Sequence, residues 1–455
     1  MISFTIKDST LGEGVLKNYY QRSAQIVSAI DRLNNMVANG KIDLVHLNAY
    51  RDATMEDFPL SYRVENTLCI RGKEQLNDCE FFSSHYIGHC CLNDVDITVT
   101  PRFGNKNVVF NHLLQYATNI FIPHTPSSLS YGRLEGPWLL MLLWLSALNK
   151  AKSLGQIPKE YIEVTENINS FKGRLDISKQ IHFNLVNQAR FYCRHQVLTF
   201  NNPINRTIRG TIEVLKSTYK TAEFKDAERY DSQLENLGVS KSGINIVDID
   251  NIRYTRLNYL YKPVMNISKI ILQHKKCQSH GENDNGLSYF IDMAELWEMY
   301  LLRVLQRNLP SQYNVYSPNS THGDYLITGN MREIRPDIII EKNRRIVMII
   351  DAKYKRYSTF GFTSKDCHAV SRDDLYQMIA YLYHYGSNNE NLIGLFSSPI
   401  ENIKDNDVHS LKNNKKHKIG LLNLDIEGVE NSDEAIRIRE MEYCQKIISL
   451  IEGKN

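Results

Sequence analysis

An acidic residue directly follows a continuously apolar run in the C-terminal third of the sequence. Residues 346–350 read IVMII and lead into Asp351, and Lys353 lies two positions further along. Side chains alternate along a strand, so Asp351 and Lys353 are expected on the same face. An ionised carboxylate at the edge of a core is costly unless it is paired or binds a metal. The pattern therefore predicts a charged functional site at the end of a buried strand.

A second carboxylate lies one predicted hairpin upstream. Residues 335–340 read RPDIII, and residues 341–345 form a polar turn before the apolar run. Asp337 begins the first strand of this hairpin, so it can reach the face that carries Asp351. Two carboxylates on paired strands predict a binding site for a divalent cation.

Magnesium is the cation that this donor set favours. Mg²⁺ takes oxygen ligands, and one or two carboxylates usually suffice when water completes the octahedral shell. The predicted helix that precedes the hairpin carries Glu298, a third carboxylate. We therefore predict Mg²⁺ bound by Asp337, Asp351 and Glu298. The ion would polarise a phosphodiester oxygen and activate a water, while Lys353 orients or deprotonates that water and offsets phosphate charge.

A helix predicted over residues 371–385 adds further polar groups. Asp374, Gln377 and Tyr381 fall at i, i+3 and i+7 and share one helix face. Gln377 can hold a ligand or touch a nucleic-acid backbone, and Tyr381 can brace it. The candidate catalytic set is therefore Asp337, Asp351, Lys353, Glu298 and Gln377.

Each of these residues also has a purely structural interpretation. The D-x-K pattern is common by chance, and Asp351 and Lys353 can form a surface ion pair beyond a strand end. Glu298 can be an exposed helix residue, and Gln377 and Tyr381 can cap a packed helix. The order of the features favours a nuclease site over coincidence: helix Glu, strand Pro-Asp, apolar strand ending in D-x-K, then helix Q-x-x-x-Y. The chain has no GxxxxGK[ST] phosphate loop, so it is not expected to hydrolyse nucleotides alone.

Composition places the chain among ordinary globular proteins. Of 455 residues, 42% are hydrophobic and 23% charged, and the net charge is only +3, which neither indicates nor excludes a nucleic-acid cleft. The run from Trp138 to Leu148 is shorter than the roughly 18 residues that span a bilayer, so it predicts a buried helix and no membrane association. None of the eight cysteines forms a CxxC pair, which favours a reducing cytoplasm over a zinc ribbon or a disulfide scaffold.

Two other groups of potential metal ligands are weaker. One combines histidines and cysteines, and the other lies on a strand with period-two alternation, where a solvated strand face is the simpler interpretation. The groups are His85, His89, Cys90 and Cys91, and Asp94 with Asp96.

The predicted fold class is a multidomain α/β protein. It comprises a β-containing N-terminal region (1–135), a mostly helical middle domain (136–285) and a C-terminal PD-(D/E)XK restriction-endonuclease-like domain (286–455). A polar stretch, Gln278 to Asn285, is the best linker candidate, and the basic run Lys412 to Lys418 predicts a surface loop, with a DNA contact as the less favoured interpretation. Other predicted elements are helices over 15–38, 108–122, 137–155 and 250–275, a strand over 94–100, and two helical pieces over 175–220.

Several stretches together resemble McrC, the nuclease-subunit family of McrBC-type modification-dependent restriction systems. The resemblance covers roughly residues 80 to 400 and includes the pair Asn205 and Arg206. Its segments are YIGHCCLNDVDITVTPRF (86–103), NINSFKGRLDI (167–177), CRHQVLTFNNPINRTIRGTIEVL (193–215), MAELWE (293–298), RPDIII, DAKYK and DLYQMIAY.

The resemblance implies a function and partners. Members of this family work with an McrB-like AAA+ GTPase hexamer that recognises modified DNA and translocates it. By position, Asp337, Asp351 and Lys353 match the family's catalytic trio, and Glu298 and Gln377 match accessory positions. The resemblance implies that the N-terminal part, about residues 80–135, docks on the GTPase and stimulates it, while the C-terminal part cuts double-stranded DNA. The first 80 residues and the tail after about residue 400 match no motif. The resemblance implies a 5-methylcytosine-type restriction system, and it leaves open which modified base is recognised.

Three functions are considered as hypotheses. The first is an Mg²⁺-dependent endonuclease subunit of a GTPase-driven restriction complex. The second is a non-cleaving scaffold that activates an AAA+ partner. The third is a stand-alone repair or recombination nuclease, because Q-x-x-x-Y also occurs in exonuclease members of the fold. The intact D…D-x-K set favours the first.

Overall fold

The structure is a computed structural model, and it describes twenty segments of the chain. They are residues 2–8, 23–38, 43–45, 70–75, 78–92, 95–102, 108–118, 137–186, 189–218, 224–241, 246–255, 257–280, 289–318, 324–327, 331–354, 370–386, 391–400, 407–412, 414–426 and 432–453.

The described residues form a mixed α/β fold with several sheets. The N-terminal elements are β1 (Ile2–Lys7), α1 (Ser23–Ala38), β2 (Asp43–Val45), β3 (Ile70–Gln75), β4 (Asp78–Ser83), β5 (Tyr86–Leu92), β6 (Val95–Thr100) and α2 (Val108–Thr118). The middle elements are α3 (Pro137–Leu154), β7 (Glu160–Ile168), β8 (Arg174–Leu175), α4 (Ile177–Asn184), β9 (Phe191–Thr199), α5 (Pro203–Thr218), α6 (Lys225–Asn236), α7 (Ile246–Asp250) and α8 (Lys262–His280). The C-terminal elements are β10 (Tyr289–Asp292), α9 (Met293–Asn308), β11 (Tyr313–Tyr316), β12 (Asp324–Ile327), β13 (Met331–Ile334), β14 (Ile338–Lys342), β15 (Arg345–Ala352), α10 (Arg372–Tyr385), β16 (Ile393–Ser397), β17 (Asp407–Ser410), β18 (Lys418–Leu421) and α11 (Asp433–Glu452).

The chain divides into two compact units at positions close to the predicted middle domain. Residues 143–281 form one unit, and residues 1–142 and 282–455 together form the other. The N- and C-terminal parts share a unit because β10 enters the N-terminal sheet, whose strand order is β1-β6-β5-β10-β2. Strand β10 therefore belongs to that sheet, although the predicted nuclease domain began at residue 286.

The 143–281 unit combines helices with a three-stranded sheet of order β7-β9-β8. The prediction that 175–220 is helical in two pieces was wrong for 191–199, which is the central strand β9. Strand β9 pairs with β7 from Phe191↔Ile168 to Thr199↔Glu160 and with β8 on its other edge. Cross-strand hydrogen bonds to distant segments thus override the local helical pattern, which cannot register them.

The end of the 143–281 unit differs in detail from the prediction. The helix predicted over 250–275 is present from Lys262 as α8, and it continues to His280. The first residues of the predicted linker, from Gln278, therefore belong to that helix, while residues 281–288 lie outside the described segments.

The 143–281 unit also explains the Asn205 of the family-like segment. The Asn205 side chain is fully buried, and its amide donates to the carbonyls of Pro158 and Phe200 at 2.9 and 2.8 Å. Asn205 therefore joins the end of β9 to the start of α5, which is a structural role.

The N-terminal sheet has its own hydrophobic core under α1. Its buried residues include Phe4 and Ile6 of β1, Ile30 and Leu33 of α1, and Phe290 of β10. The predicted helix 15–38 is present from Ser23, while residues 15–22 lie outside the described segments. The helices predicted over 108–122 and 137–155 are present as α2 and α3, and the strand predicted over 94–100 is β6.

A six-stranded sheet forms the C-terminal core, with strand order β11-β14-β15-β16-β18-β17. Strand β15 is central, antiparallel to β14 and parallel to β16. Helix α10 packs on one face through Met378 and Leu382, and α9 packs against β11 and β15. Because β15 is covered in this way, its apolar run needs no polar face. The described residues of the basic run before Lys418 lie between β17 and β18, as predicted for a loop, and Lys418 itself begins β18.

The apolar run from Trp138 to Leu148 lies within α3, as predicted, and Leu143, Trp144 and Leu148 are fully buried. Among the described helices, none combines the length and apolarity needed to cross a bilayer.

The predicted hairpin joins β14 to β15 through a two-residue turn. Asn343 and Arg344 have φ values of 54° and 62°, while Lys342 pairs with Arg345. Two left-handed residues in a two-residue loop define a type I′ turn, which matches the right-handed twist of the strands. Arg344 occupies a backbone conformation that glycine adopts far more readily.

We predict that Arg344→Gly stabilises the protein. Relief of left-handed strain at a non-glycine residue is worth about 0.5–1 kcal/mol after the larger unfolded-state entropy of glycine is counted. Chemical denaturation should show a higher midpoint for this variant. Arg345→Gly, one residue later in β15, is the matched control and should lower the midpoint, since glycine weakens a strand.

Candidate active site

The β14–β15 hairpin brings the two predicted carboxylates together. Its register pairs Ile338 with Ile350, so the next pair outward sets Asp337 opposite Asp351. Residues directly opposite each other in an antiparallel pair point to the same face. The backbone N–H of Ala352 donates to Asp337 Oδ2 at 2.8 Å, which fixes the Asp337 carboxylate beside the end of β15. Asp337 and Asp351 therefore share one site.

Lys353 forms the positive centre of this site. Its Nζ forms ion pairs with Asp351 Oδ2 at 3.0 Å and with Asp374 Oδ1 at 3.1 Å. It also donates to Gln377 Oε1 at 3.4 Å. Only 19% of the Lys353 side chain is exposed, so these contacts occur largely out of bulk water. One lysine thus bridges the hairpin and α10.

The carboxylates outnumber the cations. Asp351 is 2% exposed, and Asp337 is half-buried. Desolvation raises the pKa of Asp337 well above its ordinary value, and the charges of Glu298 and Asp351 raise it further, while Lys353 opposes the shift. A site with this imbalance binds a proton or a cation readily.

The neighbouring carboxylates also raise the pKa of Lys353, and there they favour the charged form. Desolvation by itself would lower the pKa of its ammonium group, but Asp351, Asp374 and Asp337 more than offset this and raise the pKa well above its usual value. Lys353 therefore carries its proton at neutral pH while those carboxylates are charged. A protonated lysine can stabilise negative charge on a bound group, but it cannot act as the base that removes a proton.

Helix α9 brings Glu298 near the hairpin. The Asp292 carboxylate caps the helix by accepting from the N–H groups of Ala294 and Glu295 at 2.9 and 3.2 Å. Glu298 is partly buried, and its charge acts on Asp337. The fully buried Trp297, its neighbour, donates from Nε1 to Ser397 O at 3.3 Å. The helix start and this indole contact together set the position of Glu298.

A buried polar cluster holds α9 from its other side. The Tyr300 hydroxyl donates to Glu440 Oε1 at 2.7 Å, and His112 Nε2 lies 2.8 Å from the same oxygen. These three residues come from α9, α11 and α2, and each is at most 3% exposed. Burial, followed by the negative charge of Glu440, raises the pKa of Tyr300 well above its ordinary value, so its hydroxyl stays a donor.

Ser397, at the end of β16, ties several parts of the site together. Its carbonyl accepts from Lys353 N at 2.8 Å as well as from Trp297, and its Oγ accepts from the Tyr443 hydroxyl at 3.0 Å. Ser397 is fully buried. The strand that carries Lys353 and the helix that carries Glu298 are thus held by one backbone carbonyl.

Helix α10 presents the predicted face to the hairpin. Asp374 and Gln377 contact Lys353, and the Tyr381 hydroxyl donates to Arg335 O at 3.2 Å, just before Pro336 and Asp337. Ser371 caps the helix and donates to Asp374, which orients that carboxylate.

The structure brings all five sequence-predicted site residues into one region, in which the charge of Glu298 acts on Asp337. It adds Asp374, which the sequence showed only as sharing a helix face with Gln377. It also adds Trp297 and Ser397, for which the sequence carries no signal, because their role depends on a backbone carbonyl shared between distant segments.

Within the described segments, no group of three or more His, Cys, Asp or Glu side chains is arranged to hold a metal ion. The pair Asp337 and Asp351 still suits Mg²⁺, which needs one or two carboxylates with water completing its shell. Of the weaker candidates, His89 contacts Asp96 across β5 and β6, and Cys90 is buried in the N-terminal core. Those residues therefore have structural roles, while Asp94 lies outside the described segments.

Comparison with known proteins agrees with the sequence resemblance. Residues 83–394 match the family model described as McrBC 5-methylcytosine restriction system component. The type IV methyl-directed restriction enzyme EcoKMcrBC of Escherichia coli (strain K12) is 24% identical over 258 residues, covering 53% of this chain and 70% of that protein.

Two solved assemblies are also similar in part. One is a half-complex from a tetradecameric assembly of Thermococcus gammatolerans McrB AAA+ hexamers with bound McrC, with 17% identity, a TM-score of 0.44, and coverage of 98% of this chain and 100% of that chain. The other is the Thermococcus gammatolerans McrBC complex, with 17% identity, a TM-score of 0.34, and coverage of 68% and 88%. Both scores are too low to specify a shared fold.

We predict that Asp337→Asn raises the melting temperature of the metal-free protein at alkaline pH. The folded-state pKa of Asp337 lies above its unfolded value, so its contribution to stability is greatest below the unfolded pKa and is lost as pH rises through the folded pKa. Asparagine keeps an oxygen for the Ala352 N–H and carries no charge. Each kcal/mol of relieved repulsion is worth about 2–4 °C.

Thermal unfolding in EDTA across a pH series from about 5 to 8 provides the measurement, with the gain over the wild type expected to shrink as pH falls. Asp226→Asn is the control, because Asp226 is an exposed residue in a surface ion pair. A melting temperature for Asp337→Asn at or below that of the wild type at the highest pH would contradict the charge imbalance.

Proposed function

The chain belongs to the family of McrBC 5-methylcytosine restriction system components, and from that membership we propose that it is the DNA-cleaving subunit of a modification-dependent restriction complex. The observation that carries the proposal is the convergence of Asp337, Asp351 and Lys353 at the end of one apolar strand. The order of helix, hairpin, central strand and helix supports a PD-(D/E)XK nuclease domain. The proposed reaction is hydrolysis of phosphodiester bonds in double-stranded DNA.

Magnesium is the proposed cofactor. Asp337 and Asp351 would hold it, and Glu298 on α9 would add negative charge near the ion rather than a third ligand. When bound, Mg²⁺ polarises a phosphodiester oxygen and lowers the pKa of a coordinated water. The excess of carboxylates around Asp337 supports this assignment, since a divalent cation relieves the repulsion that raises its pKa.

Lys353 has a distinct role in the proposed reaction. Negative charge develops on the phosphate oxygens as water adds, and a fixed cation in a water-poor site stabilises such charge strongly. Because Lys353 stays protonated beside Asp351 and Asp374, we propose that it stabilises the phosphate and orients the water rather than acting as the base. Asp374 and Gln377 hold its ammonium group in place.

A restriction system component implies at least one partner, and we propose an AAA+ GTPase hexamer. Docking through residues 80–135 stays a prediction, because residues 103–107 and 119–135 lie outside the described segments, while Tyr86, Val95 and Ile97 of that region belong to the core. The sheet β7-β9-β8 and α4 instead expose many apolar side chains. They are Tyr161, Ile162, Phe171, Ile177, Ile181, Phe183, Leu185, Val186 and Leu198.

A surface this apolar on one small sheet and its helix is typical of an interaction site. Val186 is 96% exposed and Leu185 71%. We therefore propose that the AAA+ partner binds the exposed apolar surface formed by the sheet β7-β9-β8 and α4 of the 143–281 unit. A reducing cytoplasm is the proposed location, in accord with Cys193 and Cys444, which are buried thiols.

We predict that Asp351→Asn abolishes DNA cleavage and spares stimulation of the partner's GTPase. Loss of a ligand carboxylate should reduce the cleavage rate by about 100-fold or more, and EDTA should abolish cleavage by the wild type. Cleavage of modified plasmid DNA and GTP turnover are measured in the same complex. The exposed Asp226→Asn variant should behave as wild type in both assays.

The outcome also separates the alternatives. Intact restriction with Asp351→Asn would leave only the scaffold function. Degradation of linear DNA by the purified chain with Mg²⁺ alone would support a stand-alone nuclease.

We predict that the double variant Phe183→Ser with Val186→Asp weakens partner binding by about 10-fold or more, since both side chains are exposed apolar contacts on the proposed surface. Binding is measured by titration of the labelled partner. Leu257→Asp replaces another residue of the same unit, 81% exposed and outside this sheet and helix, and should leave affinity unchanged. Equal loss in both variants would argue against the proposed surface.

A further inference from the structure

The ends of two strands in the N-terminal sheet lie near Tyr354, the residue that follows Lys353. Strands β1 and β6 are parallel neighbours, and their ends continue into Asp8 and Arg102. The Arg102 N–H donates to Asp8 Oδ1 at 2.6 Å, and its guanidinium donates from Nη2 to Tyr354 O at 2.7 Å. The Arg102 Cζ also lies 4.2 Å from the centre of the Tyr354 ring. The residue immediately after Lys353 is thus held by the N-terminal sheet.

We propose that Arg102 is a positioning residue for the cleavage reaction, which rests on the proposed function. By fixing the carbonyl and ring of Tyr354, it sets the direction of the chain as it leaves β15. Lys353 lies between this contact and the end of the strand. Arg102 therefore acts through Tyr354 on the placement of the Lys353 ammonium group.

Arg102 and the two residues that it contacts are all buried. Arg102 is 6% exposed, Tyr354 3% and Asp8 1%. A guanidinium is costly to bury, so a buried arginine is expected to make specific contacts, here the hydrogen bond to Tyr354 O and the contact with the Tyr354 ring. Its planar group donates to a carbonyl and stacks on an aromatic ring at the same time, whereas an ammonium group has no planar face for the ring.

Among the described residues, two other hydrogen bonds hold the backbone around Lys353, and both lie before Tyr354 in the chain. The Lys353 N–H bonds to Ser397 O, and the Ala352 N–H bonds to Asp337. Both hold the strand up to Lys353. The contact from Arg102 is the next one along the chain, at Tyr354, so the lysine is held from both sides.

The same sheet also sets the start of α9. Strand β10 ends at Asp292, whose Oδ1 lies 3.5 Å from His85 Nε2, and the Met293 N–H donates to His85 O at 3.1 Å. Glu298 lies about one and a half turns further along that helix. The N-terminal sheet therefore positions both the lysine segment and the helix that carries the accessory carboxylate.

The test compares Arg102→Lys with Arg209→Lys in the full chain, with its AAA+ partner present where cleavage requires it. Arg209 is a matched control, because it is also buried and donates to a carbonyl, Val239 O, but lies in the 143–281 unit. Arg102→Lys should lower kcat for DNA cleavage by about 10- to 100-fold and leave KM for DNA nearly unchanged. Arg209→Lys should change neither.

A second variant and two further measurements protect against a folding artefact. Tyr354→Leu keeps the carbonyl and loses only the ring, so its kcat should fall less than that of Arg102→Lys. Calorimetric titration with Mn²⁺ without DNA should give the wild-type affinity in Arg102→Lys, since the β14–β15 ladder holds the carboxylates. Hydrogen exchange should rise in the peptide that contains Lys353 and Tyr354.

Wild-type kcat in Arg102→Lys, an equal loss in Arg209→Lys, or loss of Mn²⁺ binding together with kcat would each overturn the positioning role. Absence of cleavage by the wild type would refute the proposed function and with it the role of Arg102 in positioning Lys353 for cleavage. Faster exchange in the Lys353 peptide would then still establish the physical link between the sheet and this segment.

Discussion

The structure of the C-terminal region depends on the cost of placing carboxylates at the end of a buried apolar strand. Strand β15 is covered on both faces, so Asp351 emerges where solvent is scarce. Pairing with β14 then adds Asp337 to the same place. An arrangement of this kind persists only if opposite charge is held close by, and Lys353 supplies one such charge. One ammonium group does not balance Asp337, Asp351, Asp374 and Glu298, which is why a divalent cation suits the site.

Much of the surrounding fold constrains where that single lysine lies. Ser397 holds its backbone, α10 holds its ammonium group, and Arg102 holds the residue after it. These contacts come from three separate stretches of the chain. Pre-organisation by several elements is the usual condition for electrostatic catalysis, because a charge that must first be moved into place loses much of its effect. The entry of β10 into the N-terminal sheet also explains why the two ends of the chain form one compact unit.

The two units differ in where their apolar side chains lie. In the unit of residues 1–142 and 282–455, polar groups converge on a small site and the apolar side chains form cores. In the unit of residues 143–281, the sheet and α4 leave large apolar side chains exposed. The proposed function would place DNA cleavage on one unit and partner binding on the other, so the residues proposed to bind the AAA+ partner are not those proposed to hold the metal ion.

Local sequence pattern alone was sufficient to predict several elements of the fold and the charged residues of the candidate site. The run IVMII ending in Asp351, the turn after RPDIII, and the spacing of Asp374, Gln377 and Tyr381 were sufficient to predict a hairpin, a central strand and a helix face. They also indicated the family, because these motifs follow one another in the order that resembles the McrC family. Hydrophobic periodicity gave α2, α3 and β6 as well, since each buries one contiguous face or the whole of its surface.

Only the tertiary structure decided the rest. Residues 191–199 form a strand because β7 and β8 lie on both sides of them, which no local pattern reports. The inclusion of β10 in the N-terminal sheet, the carbonyl of Ser397 shared by Trp297 and Lys353, and the contact of Arg102 with Tyr354 all join segments far apart in sequence. Backbone carbonyls carry no sequence signature, and the pairing of distant strands depends on the whole core. For this reason the sequence named the charged residues of the site, and the fold determined which residues hold them in place.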